Sequence, residues 1–383
     1  MDASDFQAPD AGRIVRTRRG YDAFMPAPLP PALSYEPSLV VSLSRADTAL
    51  SELSGVGRGL PNPHLLIAPY LRREAVLSSR IEGTRASLSD VLIDEILPGA
   101  PGLPHDVLEV RNCVIALEYG VERLRSLPLS LRLVKELHQR LMKGVRGEHA
   151  TPGEFRRSQN WIGPPHSTLE TATYVPPPPE QVAEALHHWE LFLHDRGGMP
   201  DLVQCALMHQ QFEAIHPFID GNGRVGRLLI TLFLIERGRL SQPLLYLSEY
   251  IEDRRQEYYE RLQRVCTRGD WAGWLRYFLD GVTLTAGKAV RQASRLIDLR
   301  ESLRERLKNS PRALRLLDEL FVNPYVTVAR AQGLLAVSNP TARQAVRALE
   351  DQGVVEEVTG RRWGRVYVAR GVLQAIEATG PDR

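Results

Sequence analysis

The sequence predicts a mainly α-helical protein, and three observations carry the prediction. Apolar residues recur at helical spacing through most of the 383 residues. Strand-like patterns are confined to short stretches near 171–175 and 354–368. A polar segment, His216-Pro217-Phe218-Ile219-Asp220-Gly221-Asn222-Gly223-Arg224-Val225-Gly226-Arg227, lies between two helical patterns. Leu202, Ala206, His209, Phe212 and Ile215 precede it; Val225, Leu228, Leu229, Leu232, Phe233 and Ile235 carry the second.

Taken in order, residues 1 to about 38 are rich in Pro, Ala and Asp and hold the basic run Arg16-Thr17-Arg18-Arg19. They read as an extended arm anchored by aromatics such as Tyr21 and Phe24, with the basic run a solvated tail. Residues 39–100 are helical. Leu60-Pro61-Asn62-Pro63-His64 predicts a turn. A helix then runs from about Pro69 to Glu82 and ends at Gly83, a C-cap glycine. Leu71, Ala75, Ser78 and Glu82 share one face of it, and a glutamate in the last turn opposes the macrodipole. Between 106 and 150, Val107, Val110, Val114, Leu117 and Val121 mark one helix. Leu131, Val134, Leu137, Leu141 and Met142 mark the next.

Thr171-Ala172-Thr173-Tyr174-Val175, followed by Pro176 to Pro179, predicts a β-hairpin with an unpaired edge. The prolines then return the chain stiffly to a helix over 181–197. Further helices cover 248–268 and 271–308, the charged stretch Arg295 to Lys308 reading as a connector. Residues 311–378 read as a separate small domain of three helices and two strands. The pattern resembles a winged helix-turn-helix. Arg343 and Arg347 share a face of its would-be recognition helix, and Arg361, Arg362 and Arg365 decorate the wing. DNA and protein partners both fit this tail. The resulting plan is 1–105, an arm and helical region; 106–285, a helical core; 286–310, a helical connector; and 311–383, the small domain.

Hydrophobic residues at 43% and charged residues at 25% are those of a soluble globular protein. A net charge of +2 gives no global case for nucleic acid or membrane. Cys113, Cys205 and Cys266 lie far apart within apolar patterns, as buried thiols of a reducing cytoplasm. No apolar run is long enough to span a bilayer, and no signal core opens the chain. A homodimer is compatible with these features.

The 216–227 segment carries the chemistry. Free N–H groups at a helix N-terminus make an anion site suited to phosphate. Its glycines allow close approach, and Arg224 and Arg227, one turn apart, can face one anion. Asp220 would repel phosphate directly, so it most simply holds a Mg²⁺ that bridges to it. A neutral His216 is available as general base. Gly221-x-Gly223-x-x-Gly226 matches the dinucleotide fingerprint in form, but the helical pattern before it excludes the strand that fingerprint needs.

The segment resembles the Fic-domain motif H-P-F-x-[D/E]-G-N-G-R-x-x-R at every specified position. That resemblance implies transfer of AMP from ATP to a hydroxyl of a target protein. It implies His216 as base, Asp220 as Mg²⁺ ligand, and Gly221, Asn222, Gly223 and Arg224 as the phosphate cradle. Arg227 would hold the γ-phosphate, and Phe218 would anchor the loop. Ser78-Ser79-Arg80-Ile81-Glu82-Gly83 resembles the family's inhibitory motif [S/T]-x-x-x-E-[G/N], whose glutamate pairs with the motif's second arginine, here Arg227. Gly153-Glu154-Phe155-Arg156 is similar to the segment before the family's flap, which places Thr173, Tyr174 and Val175 as the strand that registers a target. Tyr258 and Tyr259 resemble an adenine-contacting pair, but Cys266 stands where an asparagine is expected. Tyrosines half-buried in a helix face fit that pattern equally. The expected fold is a Fic helical bundle with a β-hairpin flap and a C-terminal winged helix-turn-helix. The expected activity is an adenylyltransferase inhibited by Glu82. Two alternatives stay open: a DNA-binding regulator whose Fic domain senses nucleotide, and an enzyme that removes AMP with Glu82 orienting a water.

Overall fold

The computed structural model describes residues 1–59, 64–145, 151–164 and 166–377. Where an extended arm was expected, the chain opens as a hairpin of β1 (Gly12–Arg16) and β2 (Asp22–Pro26), with Ile14 opposite Phe24. The basic run forms its turn, and Arg16 pairs with Asp22 at 3.1 Å. Phe24 is buried as an anchor, whereas Tyr21 sits at the turn and donates to Gln159 at 3.0 Å. α1 (Pro37–Gly59) follows. The turn expected at Leu60 to Pro63 lies outside the described residues. α2 (His64–Ile81) starts earlier than its sequence pattern and carries Pro69 inside. Proline removes one hydrogen bond there, but burial of Ile67, Tyr70 and Leu71 around it keeps the turn helical. Gly83, at φ +97°, ends the helix as expected.

α3 (Leu88–Ile96) begins in a capping box of Ser87 and Asp90. α4 (Val107–Arg123) and α5 (Leu131–Leu141) bury the stripes the sequence marks. The predicted flap hairpin is instead a loop with one antiparallel bridge, Ile162 to Tyr174. Pro176, Pro177 and Pro178 are buried on the way into α6 (Val182–His194), so they serve as a return segment. α7 (Asp201–Ile215) and α8 (Asn222–Glu236) flank the polar loop. α9 (Ser248–Asp253) and α10 (Arg255–Arg268) lead to α11 (Trp271–Arg306), which is unbroken. α11 therefore runs through both the expected boundary at 285 and the expected connector. The reason is a continuing apolar stripe, Val282, Ala286, Ala289, Ala293, Leu296 and Leu303, with α1 packed along the helix.

The C-terminal unit comprises α12 (Pro311–Val322), β3 (Tyr325–Thr327), α13 (Val328–Leu335), α14 (Asn339–Asp351), β4 (Glu356–Glu357), β5 (Val366–Val368) and α15 (Arg370–Glu377). Its antiparallel sheet has the order β3-β5-β4. β3 and α15 were not expected; three residues are too few to show a period. Nor is the unit separate. α12 and α15 pack on α2, and its buried apolar residues join those of the rest in one continuous core. The seam also has polar bonds. Asn323 donates to the Leu92 carbonyl and to Glu95, each at 3.0 Å, and its own Oδ1 accepts the Tyr325 N–H. Among the described residues no helix is long and apolar enough to cross a membrane, and the three cysteines are buried and free.

This seam makes a prediction. Asn323→Ala leaves a buried carbonyl and N–H unpaired and is expected to cost about 2 kcal/mol. Urea unfolding of the whole chain should show that loss in a single transition. A separate transition for the C-terminal unit, unaffected by the rest, would mean that the seam is not cohesive.

Candidate active site

At the end of α7 the chain turns at His216, a left-handed residue (φ 48°) whose N–H caps the Phe212 carbonyl at 3.0 Å. Gly221, at φ +77°, makes the second sharp turn, where a Cβ would lie 3.0 Å from the Met142 sulfur. Phe218 between them is buried and stacks on His138 with ring centres 3.7 Å apart. His138 accepts the Gly153 N–H at Nδ1 (2.8 Å), so its Nε2 carries the proton and donates to the Asp220 carbonyl (3.1 Å). Asn222 closes the loop on itself: its Oδ1 accepts the Phe218 N–H at 2.8 Å and its Nδ2 donates to the Phe218 carbonyl at 2.9 Å. The Asn222 side chain is therefore spent on loop shape, which leaves only its main chain for the anion. Arg156 Nε donates to the His216 carbonyl at 2.9 Å, and Asn160 donates to that of Phe218 at 2.7 Å. Every turn of the loop is thus pinned from outside it.

A cleft of about 590 Å³ opens between this loop, α10 and the flap. Glu82, Thr173, His216, Gly223, Arg227 and Tyr259 line it, which brings residues singled out in separate parts of the sequence into one cleft, while Asp220, Asn222 and Arg224 are not among its lining. His216 Nδ1 faces the Glu213 carbonyl at 3.3 Å. Burial, then the Arg156 guanidinium, pushes the His216 imidazole down to about 4, so at neutral pH it is an uncharged base. Asp220 is exposed, with Oδ1 accepting the Gly221 N–H at 2.6 Å. Among the described residues no group of three or more metal-binding side chains occurs. One exposed carboxylate beside an anion site suits Mg²⁺ that arrives with phosphates, since that ion keeps its waters and needs only one or two protein oxygens.

The two arginines differ. Arg224 is buried and donates to Glu109 at 3.0 Å. Arg227 Nε donates to Ser78 Oγ at 2.9 Å, and its Nη2 donates to the Ser78 carbonyl at 2.8 Å and to Glu82 Oε1 at 2.7 Å. Burial pushes the Glu82 carboxyl up, but Arg227 overrides this and holds it below the ordinary glutamate range. The Glu82 carboxylate lies over Gly223, in the space a Cβ there would take.

Three expectations change. Tyr258 is buried: His209 donates from Nδ1 to the Gly226 carbonyl (3.1 Å), so the Tyr258 hydroxyl donates to its Nε2 (2.8 Å). Tyr258 borders the cleft as well, but Tyr259, 41% exposed, is the more open of the two. On the flap, Thr173 is exposed, but Tyr174 is buried and donates to the Ala214 carbonyl at 2.7 Å. Val175 is buried too, and its carbonyl accepts the Phe24 N–H at 2.8 Å. The edge expected to be unpaired is covered at that point by β2. Sequence reasoning missed Glu109, His138, Asn160 and Glu213 and gave Arg156 no role. Glu109 lies beside the apolar stripe of α4, and a carboxylate there was the one available signal. On the C-terminal unit, Arg343, Arg347, Arg361 and Arg362 are all exposed, as is Trp363 at 72%.

Residues 128–234 match the family model described as Fic/DOC family, and residues 40–122 match that for the Fic/DOC family N-terminal region. The chain carries a domain of the Fic/DOC family. A protein adenylyltransferase Fic from Aedes aegypti is 30% identical over 208 residues, 52% of this chain and 38% of that protein. One from Drosophila grimshawi is 29% identical over 175 residues, 45% of this chain and 32% of that protein. The chain thus matches about a third of the length of these curated relatives. A Fic family protein from Desulfovibrio desulfuricans G20 has the same fold, with TM-score 0.58 and 20% identity over 93% of this chain and 100% of that one. Fic-1 from C. elegans superposes with TM-score 0.50 and 20% identity over 69% of this chain and 75% of that one.

The Fic loop's two ion pairs should respond differently to truncation. Glu109→Ala leaves the buried Arg224 with only the exposed Asp220 carboxylate, at 3.9 Å, and is expected to cost about 3 kcal/mol in chemical denaturation. Glu82→Ala, at the edge of the cleft, should cost about 1 kcal/mol or less. Equal losses would mean that both arginines are structural.

Proposed function

We propose that this protein transfers AMP from ATP to a Ser, Thr or Tyr hydroxyl of a target protein, and that Glu82 restrains the transfer. The observation that carries the reading is a neutral His216 at the mouth of the α8 N-terminus, within a cleft large enough for a nucleotide. The relatives named protein adenylyltransferase support it. Main-chain N–H groups of residues 222–224 would seat the phosphates, with Gly221 shaping the turn before them, and Arg227, once released, would grip the γ-phosphate. Mg²⁺ held by Asp220 would supply further charge neutralisation when bound. The target hydroxyl gives its proton to His216, its oxygen bonds to the α-phosphorus, and the bond to pyrophosphate breaks. Catalysis on this scheme is positioning plus charge stabilisation.

Restraint follows from occupancy. Arg227 cannot bind Ser78, Glu82 and a γ-phosphate at once, and the Glu82 charge repels phosphate where it must sit. Transfer of label from α-labelled ATP to protein tests the whole reading. His216→Ala should abolish transfer, and Glu82→Gly should raise it by about fivefold, the factor that about 1 kcal/mol supplies. Adding Arg227→Ala should reverse the gain. Equal rates in wild type and Glu82→Gly at saturating ATP would leave α2 as scaffold. If Glu82 instead orients a water for AMP removal, Glu82→Gly should fail to strip a pre-modified target.

A second reading concerns the C-terminal unit, which we read as a winged helix-turn-helix that contacts nucleic acid. Arg343 and Arg347 stand on the open face of α14. Arg361 and Arg362 flank an exposed Trp363 in the turn between β4 and β5. Retention of the full chain on duplex DNA should fall steeply with salt, and Arg343→Ala with Arg347→Ala should lower the slope by about two. No retention at low salt would leave protein docking as the role of this face.

A further inference from the structure

Arg72 and Arg73, consecutive residues of α2, each reach the C-terminal unit through a single intermediate. Arg72 Nε donates to Glu95 Oε1 of α3 at 2.6 Å, and Glu95 Oε2 accepts the Asn323 amide at 3.0 Å. Arg73 Nη1 donates to Gln292 Oε1 of α11 at 3.3 Å. Gln292 Nε2 in turn donates to the Ala375 carbonyl at 3.0 Å and to that of Ile376 at 2.5 Å. Gln292 is buried, and both its N–H groups and its carbonyl are engaged. The two carbonyls it meets lie in the last turn of α15, where a helix has no donors of its own to give them. Arginine only donates and a main-chain carbonyl only accepts, so one orientation of the amide fits.

A seam between two units needs no such route. Asn323 already bonds the Leu92 carbonyl, the Tyr325 hydroxyl meets Ser89 at 3.1 Å, and the apolar core is continuous. Yet both bridges end on α2, the helix that presents Ser78 and Glu82 to Arg227. Adjacent residues of a helix point about 100° apart, so the bridges grip α2 from two sides. Arg73 also donates to Glu249 of α9 at 2.9 Å, which fixes its guanidinium between α9 and α11. The Arg72 and Arg73 side chains are each 12% exposed, so water competes little for these bonds. In the last turn of α2, Arg80 meets Glu252 at 3.7 Å in a pair open to water, which contributes little. The polar grip on α2 thus lies between one and two turns before Ser78, and its far end is the C-terminal unit.

We propose that Gln292 is a positioning residue for the restraining glutamate: it ties α15 to α2, so that the hold of Glu82 on Arg227 depends on the C-terminal unit being docked. Loosening the tie lets the last turn of α2 leave Arg227 for part of the time, and transfer rises. The C-terminal unit is then an input to the restraint. A change at Gln292 acts only through Glu82, so its effect vanishes when Glu82 is absent. The inference rests on the restraint proposed above.

The test measures uptake of label by the full chain itself from α-labelled ATP with Mg²⁺, beside hydrogen exchange over residues 74–83. Gln292→Met keeps the length of the side chain and removes the bridge bonds. Glu95→Ala breaks the Arg72 bridge and leaves Asn323 its bond to Leu92. All chains are compared at a temperature where circular dichroism shows them folded. Each variant should raise transfer about threefold, within the gain that Glu82→Gly gives, and neither should change it by more than about 1.5-fold in a Glu82→Gly chain. Exchange over 74–83 should quicken at least about fivefold in both variants. Equal gains with and without Glu82, no gain where Glu82 is present, or unchanged exchange would overturn the role of Gln292 while leaving the restraint. Equal rates in wild type and Glu82→Gly would overturn the restraint itself, and this inference with it. Absence of label on every chain would overturn the transfer reading, and unchanged exchange would then still overturn the tie.

Discussion

A buried guanidinium is tolerable only if its donors are met, and that need at Arg227 constrains much of this structure. Its bonds end on two residues of one short segment, Ser78 and Glu82. α2 must therefore present its last turn to the first turns of α8 within hydrogen-bond tolerance. A helix end is easily frayed, so its position has to be imposed by packing along its length. α4, α9, α12 and α15 all pack on α2. The C-terminal unit belongs to that cradle, which gives a physical reason why its core is continuous with the rest. Glu74, a turn below Ser78 on the same face, is buried against Ser248, and burial pushes its carboxyl up to about 7. A group raised in this way favours the fold at low pH, and its cost appears as pH climbs from the unfolded carboxyl value towards 7.

The loop follows the same logic at shorter range. Two residues at positive φ, His216 and Gly221, reverse the chain twice between α7 and α8. The carbonyls exposed by those turns are collected by Arg156, Asn160, His138 and Asn222. The left-handed backbone at His216 is the strained feature, and such strain survives only where the surroundings over-determine it. Two distant segments do so here, α5 through His138 and the stretch 156–160 through Arg156 and Asn160. The result is an imidazole held at the N-terminus of α8 by bonds to its own main chain.

What could be read from the sequence was what is local. The loop, its flanking helices and the face shared by Ser78 and Glu82 are set by spacing within one or two turns. The pairing of Arg227 with Glu82 was legible only through the family resemblance, since 145 positions separate the two. Glu109 reaches Arg224 across 115 positions, and no periodicity links them. Tyr258 and Tyr259 show the limit most simply. They are adjacent on one helix, so side-chain direction alone sends the first into the core against His209 and the second into the cleft. The flap failed as a predicted hairpin for a related reason. Thr, Tyr and Val favour strands because they suit a half-buried pleated surface. Tyr174 and Val175 found such a surface in the N-terminal hairpin, through Phe24, rather than in a partner strand of their own.

Arg224 and Arg227 sit one turn apart on one helix and look interchangeable in the sequence, yet their partners divide them. The Glu109 side chain is 11% exposed and that of Glu82 is 34%. A pair sealed from water is costly to break, because the surviving charge has nowhere to go. A pair at the edge of a cleft is screened, and an incoming anion can replace one partner without leaving the other stranded. On the function proposed above, Arg227 is therefore the arginine placed to exchange a carboxylate for a phosphate, and Arg224 is the one held in place. The same distinction explains why the exchangeable carboxylate comes from outside the loop. A glutamate within 216–227 would share the fate of Asn222 and be consumed by the turn it helps to form. One delivered from the end of α2 approaches from the cleft side, over a glycine that leaves it room, and can withdraw the same way.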